Sequence, residues 1–597
     1  MKAIFTNFIL FILLFIIVFD LSATRRDNYD SKPIDGSETG KLNRNYKKDI
    51  KPLEHFSTLK TSSYIISYNL IGQNGFYDLQ SNASPNQIWQ NPLNPDNVHT
   101  AFMSMTAFPG TRLVHYAYSS DRGISWNLLN NVNNFLSGFP SIDGFTDNSI
   151  PVISMHTIEG LSAARTQFFI DQGLGAGSFT RIDPGPYGDK VMIWGRVITT
   201  GSSLNPVKFI NASSENQGLA QAALVRNSGI VPPGIFSGWS DYVGDNNEQY
   251  AFARSENGKI GHAFMFSENI CDGCVGLRES TNGGLTWTGP DIVYIDSAFV
   301  DPYSAVYGIS ITYDGEIPCI VFELDNVEST YLFYNSPSYI MYWNPTQNNA
   351  VPRILAGPDN VPFHPNTGPT ASNGRFSPLC RPVIGSSTDV NRSEIYVAFC
   401  GATGNVSPDL NVYYAVYFTM SYDGGISWSV PEKITPELPL KDYRYISMSH
   451  TNSPKNSSFG SPSLVQMTVQ AHDYAGTFAP NQPPGISEMF GIKLEVVMVN
   501  INTISNIIPE DFSLKQNYPN PFNPVTSIQF DVKEQSNITL KIYNSSGQHI
   551  QTIIDNELTS PGTKEVKFTN TGLASGIYFY TLTAKNFTDS KKMILIK

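Results

Sequence analysis

The sequence predicts an all-β chain, with a large body and a small C-terminal β-module. Three observations carry that expectation. Only 15 % of the 597 residues are charged and 12 % are aromatic, with 30 Tyr and 36 Phe, whereas an ordinary soluble protein is roughly 25 % charged. The 46 Gly and 39 Pro supply frequent turns. Short apolar runs alternate with polar residues at period 2, the pattern of half-buried strands. This is not the composition of a helical bundle, a coiled coil or a disordered chain. The length suits about three to four domains of roughly 150 residues, or one large β-fold with a smaller module.

The N-terminus reads MKAIFTNFILFILLFIIVFDLSATRR. Lys2 precedes an unbroken apolar run of 12 residues, Phe8 to Phe19. A bilayer-spanning helix needs about 18–20 residues. The run and the small Ala23 predict a secretory signal peptide over 1–23, a buried helix or an uncleaved anchor being the other readings. No later stretch approaches membrane-spanning length, so no transmembrane segment is expected after cleavage. Residues 24–60 are polar and mixed in charge, as in a flexible leader.

The whole chain carries 39 basic and 51 acidic residues. Residues 61–500 hold 20 basic and 36 acidic groups, a formal charge of −16. Such a body repels nucleic acid and anionic lipid at long range. A general nucleic-acid binder is excluded, while neutral glycans, proteins and divalent cations stay open.

Three segments of this body align without gaps: Ser119-Ser120-Asp121-Arg122-Gly123-Ile124-Ser125-Trp126, Ser280-Thr281-Asn282-Gly283-Gly284-Leu285-Thr286-Trp287 and Ser421-Tyr422-Asp423-Gly424-Gly425-Ile426-Ser427-Trp428. The shared pattern is S-x-[DN]-x-G-x-[ST]-W. An Asp or Asn side chain can hold nearby backbone in a tight loop. A glycine two residues later accepts the positive φ of the turn. The Trp returns to the strand and covers the loop.

This repeat resembles the Asp-box, or BNR repeat, of sialidases, other glycoside hydrolases, sortilin-like receptors and secreted propellers. The resemblance implies a six- or seven-bladed β-propeller over 61–505, followed by a linker at 506–513. It also implies that Ser119, Asp121, Gly123, Trp126, Ser280, Asn282, Gly284, Trp287, Ser421, Asp423, Gly425 and Trp428 are structural, away from the central pocket. Candidate blades open near residues 85, 140, 190, 245, 300, 370 and 440. Residues 61–80 could supply a closing strand.

A sialidase needs three arginines on a carboxylate, a Tyr–Glu pair, an acid/base Asp and an [FY]-R-I-P motif before the first repeat. No such motif precedes Ser119. The nearest fragments, Thr180-Arg181-Ile182-Asp183-Pro184 and Pro352-Arg353-Ile354-Leu355, both follow it. No catalytic residue is assigned. The nine His show no H-x-H or H-E-x-x-H spacing. His472-Asp473 is the most suggestive pair, and a satisfied structural role is the simpler reading. The turn Asp241-Tyr242-Val243-Gly244-Asp245-Asn246-Asn247 could hold calcium through oxygens but lacks EF-hand spacing. No other cofactor is expected. Trp239 could stack on a sugar, though packing within a blade is the simpler reading.

Five cysteines are present: Cys271, Cys274, Cys319, Cys380 and Cys400. In an oxidising compartment, Cys271–Cys274 is expected to form a local disulfide. Cys380 and Cys400 lie in neighbouring strand-like segments and are expected to pair, leaving Cys319 free and buried.

Residues 514–597 alternate clearly in Ser527–Val532, Ile538–Tyr543 and Ile577–Leu582, which predicts a small Ig-like β-sandwich. Asn517-Tyr518-Pro519-Asn520-Pro521-Phe522-Asn523-Pro524, then IYNSSGQ, LASGIYFY and KKMILIK, resemble the type A sorting domain of type IX secretion. On that resemblance Asn517, Pro519, Asn520, Pro521, Gly576, Lys592 and Lys597 belong to the sorting motif. The machinery of that system is the implied partner, and the cell surface or the medium the implied location. The expectation is an exported propeller that binds a glycan or protein. A secreted glycoside hydrolase of exo-sialidase-like type is the alternative.

Overall fold

The computed structural model describes residues 63–596 apart from 74–85, 106–110, 161–163, 216–221, 229–234, 243–248, 266–273, 295–302, 329–330, 333–335, 366–375, 389–392, 409, 453–462, 477–486, 498–501, 506, 524 and 570–572. The predicted signal peptide and leader therefore lie outside the described residues, as do Cys271, most of the Asp-rich turn and Lys597. Among the described residues no helix is long and apolar enough to cross a membrane. The chain divides into two compact units, one built mainly from 67–453 and 465–493, the other mainly from 494–597.

The larger unit is a succession of antiparallel meanders. Sheet 1 runs through Ile88–Gln90, Val98–Ser104, Leu113–Ser119 and Asn127–Asn131. Sheet 2 runs through Leu136–Gly144, Pro151–Ile158, Arg165–Asp171 and Phe179–Ile182. Sheet 3 is Met192–Thr199, Val207–Glu215 and Ala222–Ser228, edged by Ile235–Phe236 and Ser240–Tyr242. Sheet 4 is Tyr250–Arg254, Ile260–Met265, Val275–Ser280 and Asp291–Tyr294. Sheet 5 is Tyr303–Asp314, Ile317–Glu328, Tyr339–Trp343 and Arg353–Ala356. Sheet 6 is Leu379–Ser387, Ile395–Val406, Val412–Ser421 and Glu432–Lys433. Sheet 7 is Asp442–Met448, Ser463–His472 and Glu488–Val497, with Ser63–Gln73 as its fourth strand.

The first strands of these sheets pack against one another in sequence, and the first strand of sheet 7 packs on that of sheet 1. The cycle is closed, so the unit is a β-propeller that leaves its innermost strands without free edges. First and second strands are buried along nearly their whole length, as in Val98–Ser104 and Ser463–His472. Aromatic and β-branched residues at these positions fill the wedges between sheets. Ile153, Met155, Phe169, Ile193 and Trp194, for example, share one core that joins sheets 1 to 3.

The smaller unit holds two four-stranded sheets. One contains Asn502–Ser505, Gly562–Thr569, Val525–Val532 and Ser513–Leu514; the other contains His549–Thr559, Ser536–Asn544, Gly576–Ala584 and Phe587–Leu595. Alternate residues of both, including Ile528, Phe530, Leu540, Ile542, Tyr580 and Leu582, form a single core. The period-2 pattern dictates this burial: successive side chains point to opposite faces, and the apolar set turns inward.

One cysteine expectation fails. Cys380, Cys400 and Cys319 are all free and buried. Cys380 and Cys400 are direct partners across the ladder. Arg381, the residue after Cys380, is left-handed at φ 56°. The pairing breaks register immediately after Cys380. Cys274 is disulfide-bonded, and its expected partner Cys271 is outside the described residues.

Candidate functional site

The two ends of the first strands differ. In sheet 1, Gln90 at the end of the first strand pairs with Val98, which pairs with Ser119. The repeat Ser119–Trp126 therefore sits where the first strand finishes. It is held partly by internal bonds and partly by bonds from Asn69 and Gln466 to its backbone carbonyls. Ser119 Oγ donates to Asp121 Oδ1 at 2.7 Å and accepts from Gly123 N at 2.8 Å, while Ser125 N donates to Asp121 Oδ1 at 2.8 Å. Asn282 accepts from Ser280 Oγ at 3.0 Å and from Thr286 N at 2.9 Å. Asp423 accepts from Ser421 Oγ at 2.8 Å and from Ser427 N at 2.9 Å.

Gly123, Gly284 and Gly425 have φ of 74°, 77° and 86°. Each also faces a side chain from the preceding sheet. A Cβ at Gly123 would stand 2.6 Å from Gln466 Oε1, one at Gly284 2.6 Å from Ile210 Cδ1, and one at Gly425 would collide with Tyr342 Oη. The Trp residues bridge the same seams: Trp126 packs with Met489, Trp287 with the core holding Ile210, and Trp428 edge-on to Tyr342 at 4.9 Å. The glycine and Trp of each turn thus contact the neighbouring sheet.

The opposite end is irregular. Five of the seven first strands break register there, at Gly138/Ser141, Ile193/Arg196, Ala305/Ile309, Cys380/Val383 and Arg444/Ser447. Each break holds a left-handed residue: Phe139 (φ 54°), Trp194 (55°), Gly308 (59°), Arg381 (56°) and Tyr445 (57°). Four of these are bulky, and such conformations cost about 1–3 kcal/mol each. A bulge re-aims the side chain it carries.

The re-aimed groups gather chemistry. Gly308 leaves room that a Cβ would take from Glu323 Oε2. The Arg381 backbone N–H donates to that same oxygen at 2.5 Å. Glu323 is fully buried and Asp325, two residues along the same strand, is 1 % exposed. Burial, then the Asp325 charge, pushes the Glu323 carboxyl well above its usual range, against the pull of the Arg381 guanidinium. That guanidinium lies 5.1 Å from the Tyr307 ring and 5.2 Å from Phe376. Arg444 lies 4.5 Å from both Phe376 and Tyr414, with Nε donating to Asp442 Oδ2 at 2.7 Å. Such stacking suits guanidinium groups. A small cleft among the first strands, with a cavity volume of only about 10 Å³, is lined by Asn86, Ser141, Arg196, Ser310, Val383 and His450, among others. Burial pulls His450 down to about 4, so it is neutral there.

The remaining candidates have ordinary roles. His472 Nδ1 accepts from Tyr474 N at 3.0 Å, and Asp473 accepts from Lys441 Nζ at 2.8 Å. Trp239 Nε1 donates to Gly185 O at 3.1 Å and its ring packs on a core of Phe168 and Phe209. Arg181 pairs with Glu159, and Arg353 binds Gln347 Oε1 at 2.7 Å. Among the described residues no group of three or more His, Cys, Asp or Glu is arranged to hold a metal. Sequence reasoning missed Glu323, Asp325, Arg381 and Arg444. The one available signal was a proline inside two apolar strands, Pro140 and Pro382, which marks a bulge.

In the smaller unit the proline-asparagine block folds onto the last strand. Asn517 Nδ2 donates to Pro519 O at 3.1 Å and to Thr526 Oγ1 at 2.9 Å. Asn520 Nδ2 donates to Lys592 O at 3.2 Å, and Ile594 N donates to Asn520 Oδ1 at 2.9 Å. Gly576 opens its strand opposite Leu595. Blocks far apart in sequence thus form one surface.

Comparison with known proteins gives three findings. Residues 516–597 match the family described as "Secretion system C-terminal sorting domain". No curated protein matches the chain. Solved structures that resemble it include a protein of unknown function from Dyadobacter fermentans (13 % identity, 72 % of this chain and 99 % of that one, TM-score 0.35). They also include the polysaccharide lyase Uly1 (9 %, 74 % and 99 %, TM-score 0.39). A third is an α-L-arabinofuranosidase, Arb93A, from Fusarium graminearum (12 %, 59 % and 98 %, TM-score 0.36). Residues 516–597 are a secretion-system sorting domain, and the chain is type IX cargo delivered to the cell surface or the extracellular space.

Proposed function

We propose that residues 61–505 form a seven-bladed propeller, one blade per sheet, that binds a glycan or protein ligand outside the cell. The ligand engages the end where the first strands begin. One observation carries this reading: five first strands hold a left-handed residue at the same level of the ring, between φ 54° and 59°. Repeated strain of this kind persists where a site needs it. In this reading 1–23 is a cleaved signal peptide, 24–60 a leader, 506–513 a linker and 514–597 an Ig-like sandwich. The three S-x-[DN]-x-G-x-[ST]-W turns are Asp-boxes with a structural role.

A secreted glycoside hydrolase is the second reading. It is favoured by Glu323, whose carboxyl is pushed well above its usual range by burial and then by the Asp325 charge, the direction a general acid needs. Against it, both carboxyl groups are buried on one strand rather than facing each other across a pocket. The test exposes the full exported protein to a panel of neutral and acidic glycans, reading retention by affinity and release by mass spectrometry. Retention without release is expected. Released sugar that disappears in Glu323→Gln would replace the binding reading with the hydrolase. A panel that gives neither leaves only a protein ligand, tested by crosslinking on the cell surface.

A further inference from the structure

Between sheets 1 and 2, at the bulged end, an arginine is buried without a counter-ion. Arg112 is 5 % exposed. Its Nε donates to Ser137 O at 3.1 Å, and its Nη2 lies 3.1 Å from His156 Nε2. The left-handed residue of sheet 2, Phe139, sets its ring 4.8 Å beneath the guanidinium and 4.8 Å from the His156 ring. Burial pulls the guanidinium down to about 10. No carboxylate answers this charge among the described residues. Nearby Glu159 and Asp183 are held by Arg181 and Arg165, at 2.8 Å each. Residues 106–110 and 161–163, which lie outside the described residues, contain no Asp or Glu in the sequence.

The patch also has an excess of donors. A guanidinium can only donate, so His156 Nε2 must accept and the ring proton sits on Nδ1. That Nδ1–H is buried with no partner. Asn133 Oδ1 accepts from Ser137 Oγ at 3.1 Å, and its Nδ2 is likewise buried with no partner. The acceptors in the patch are thus consumed, while a cation and two neutral N–H groups are left over. A buried donor left unmet carries its full desolvation penalty.

We propose that Arg112, His156 and Asn133 form a binding site for a carboxylate carried by the ligand. A planar carboxylate offers the guanidinium edge two oxygens, with lone pairs to spare for the two N–H groups. A body of −16 tolerates one negative charge far better than a phosphate dianion. The site deepens the binding reading, on which it rests, by naming the group recognised.

The test follows thermal unfolding of the full exported protein against rising glucuronate, N-acetylglutamate, glucose and sodium chloride, at fixed ionic strength. The account expects a saturable rise in melting temperature with glucuronate or N-acetylglutamate and none with glucose. The larger of the two shifts tells a sugar from a peptide source. Asn133→Asp puts an internal carboxylate against Ser137, the residue that also accepts from Arg112 Nε, so this variant should fold and bind at least tenfold more weakly. The inference is overturned if both carboxylates behave as chloride does, or if Asn133→Asp binds them unchanged. Should the glycan panel meanwhile retain neutral sugars, only this inference falls and the binding reading stands.

Discussion

The two ends of the ring of first strands solve opposite problems. At the end where they finish, three eight-residue turns share one recurring set of internal hydrogen bonds and meet the preceding sheet through a glycine and a Trp. At the end where they begin, five bulges hold left-handed residues, four of them strained, beside buried arginines and carboxyl groups. One end is built from local bonds that recur. The other is built from long-range contacts that differ from sheet to sheet. A fold stabilised at one end can carry strain at the other, and that division separates stability from recognition.

The comparison can be broken by substitution. Gly425→Ala adds a Cβ against Tyr342 Oη at φ 86°. Left-handed strain of about 1–2 kcal/mol and overpacking of about 1–3 kcal/mol together predict a loss near 3–4 kcal/mol in urea unfolding. A loss below about 1 kcal/mol would mean the turn is not a lock. Asp423→Ala removes the acceptor of Ser421 Oγ, Ser427 N and Ser427 Oγ and should cost about 2 kcal/mol, with ligand retention intact.

At the bulged end the sign reverses. Glu323 has a folded pKa raised above its unfolded value, first by burial and then by Asp325. Its contribution is therefore full below about pH 4.5 and is lost as pH rises through the folded value. Glu323→Gln should leave stability at pH 4 nearly unchanged and raise it by about 1 kcal/mol at pH 9. A flat difference between the two pH values would place no proton on Glu323. The smallest effect belongs to Asp423→Asn, which copies the natural Asn282 of sheet 4 and should cost under about 1 kcal/mol.

The same contrast explains what could be read from the sequence. The repeats were legible because their chemistry is local: Ser, Asp, Gly and Trp meet within eight residues. First strands begin at 88, 136, 192, 250, 303, 379 and 442, each within nine residues of an opening the sequence suggests. The sorting motif was legible for a similar reason, since its blocks are ordered words whose contacts recur. The bulged end was not. Glu323 and Arg381 are 58 residues apart, and Arg112 meets His156 across 44. No spacing rule joins such pairs, and only the closed ring brings them together. The Cys380–Cys400 expectation failed at the same place: both thiols are free where the left-handed Arg381 breaks the ladder beside Cys380.

The most direct test is hydrogen exchange on the full protein, free and with the most strongly retained glycan of the panel. The account predicts slowed exchange around Gly138–Ser141, Ile193–Arg196, Cys380–Val383 and Arg444–Ser447, and no change at Ser119–Trp126, Ser280–Trp287 or Ser421–Trp428. Protection at the three turns with the bulged strands unaffected would contradict it.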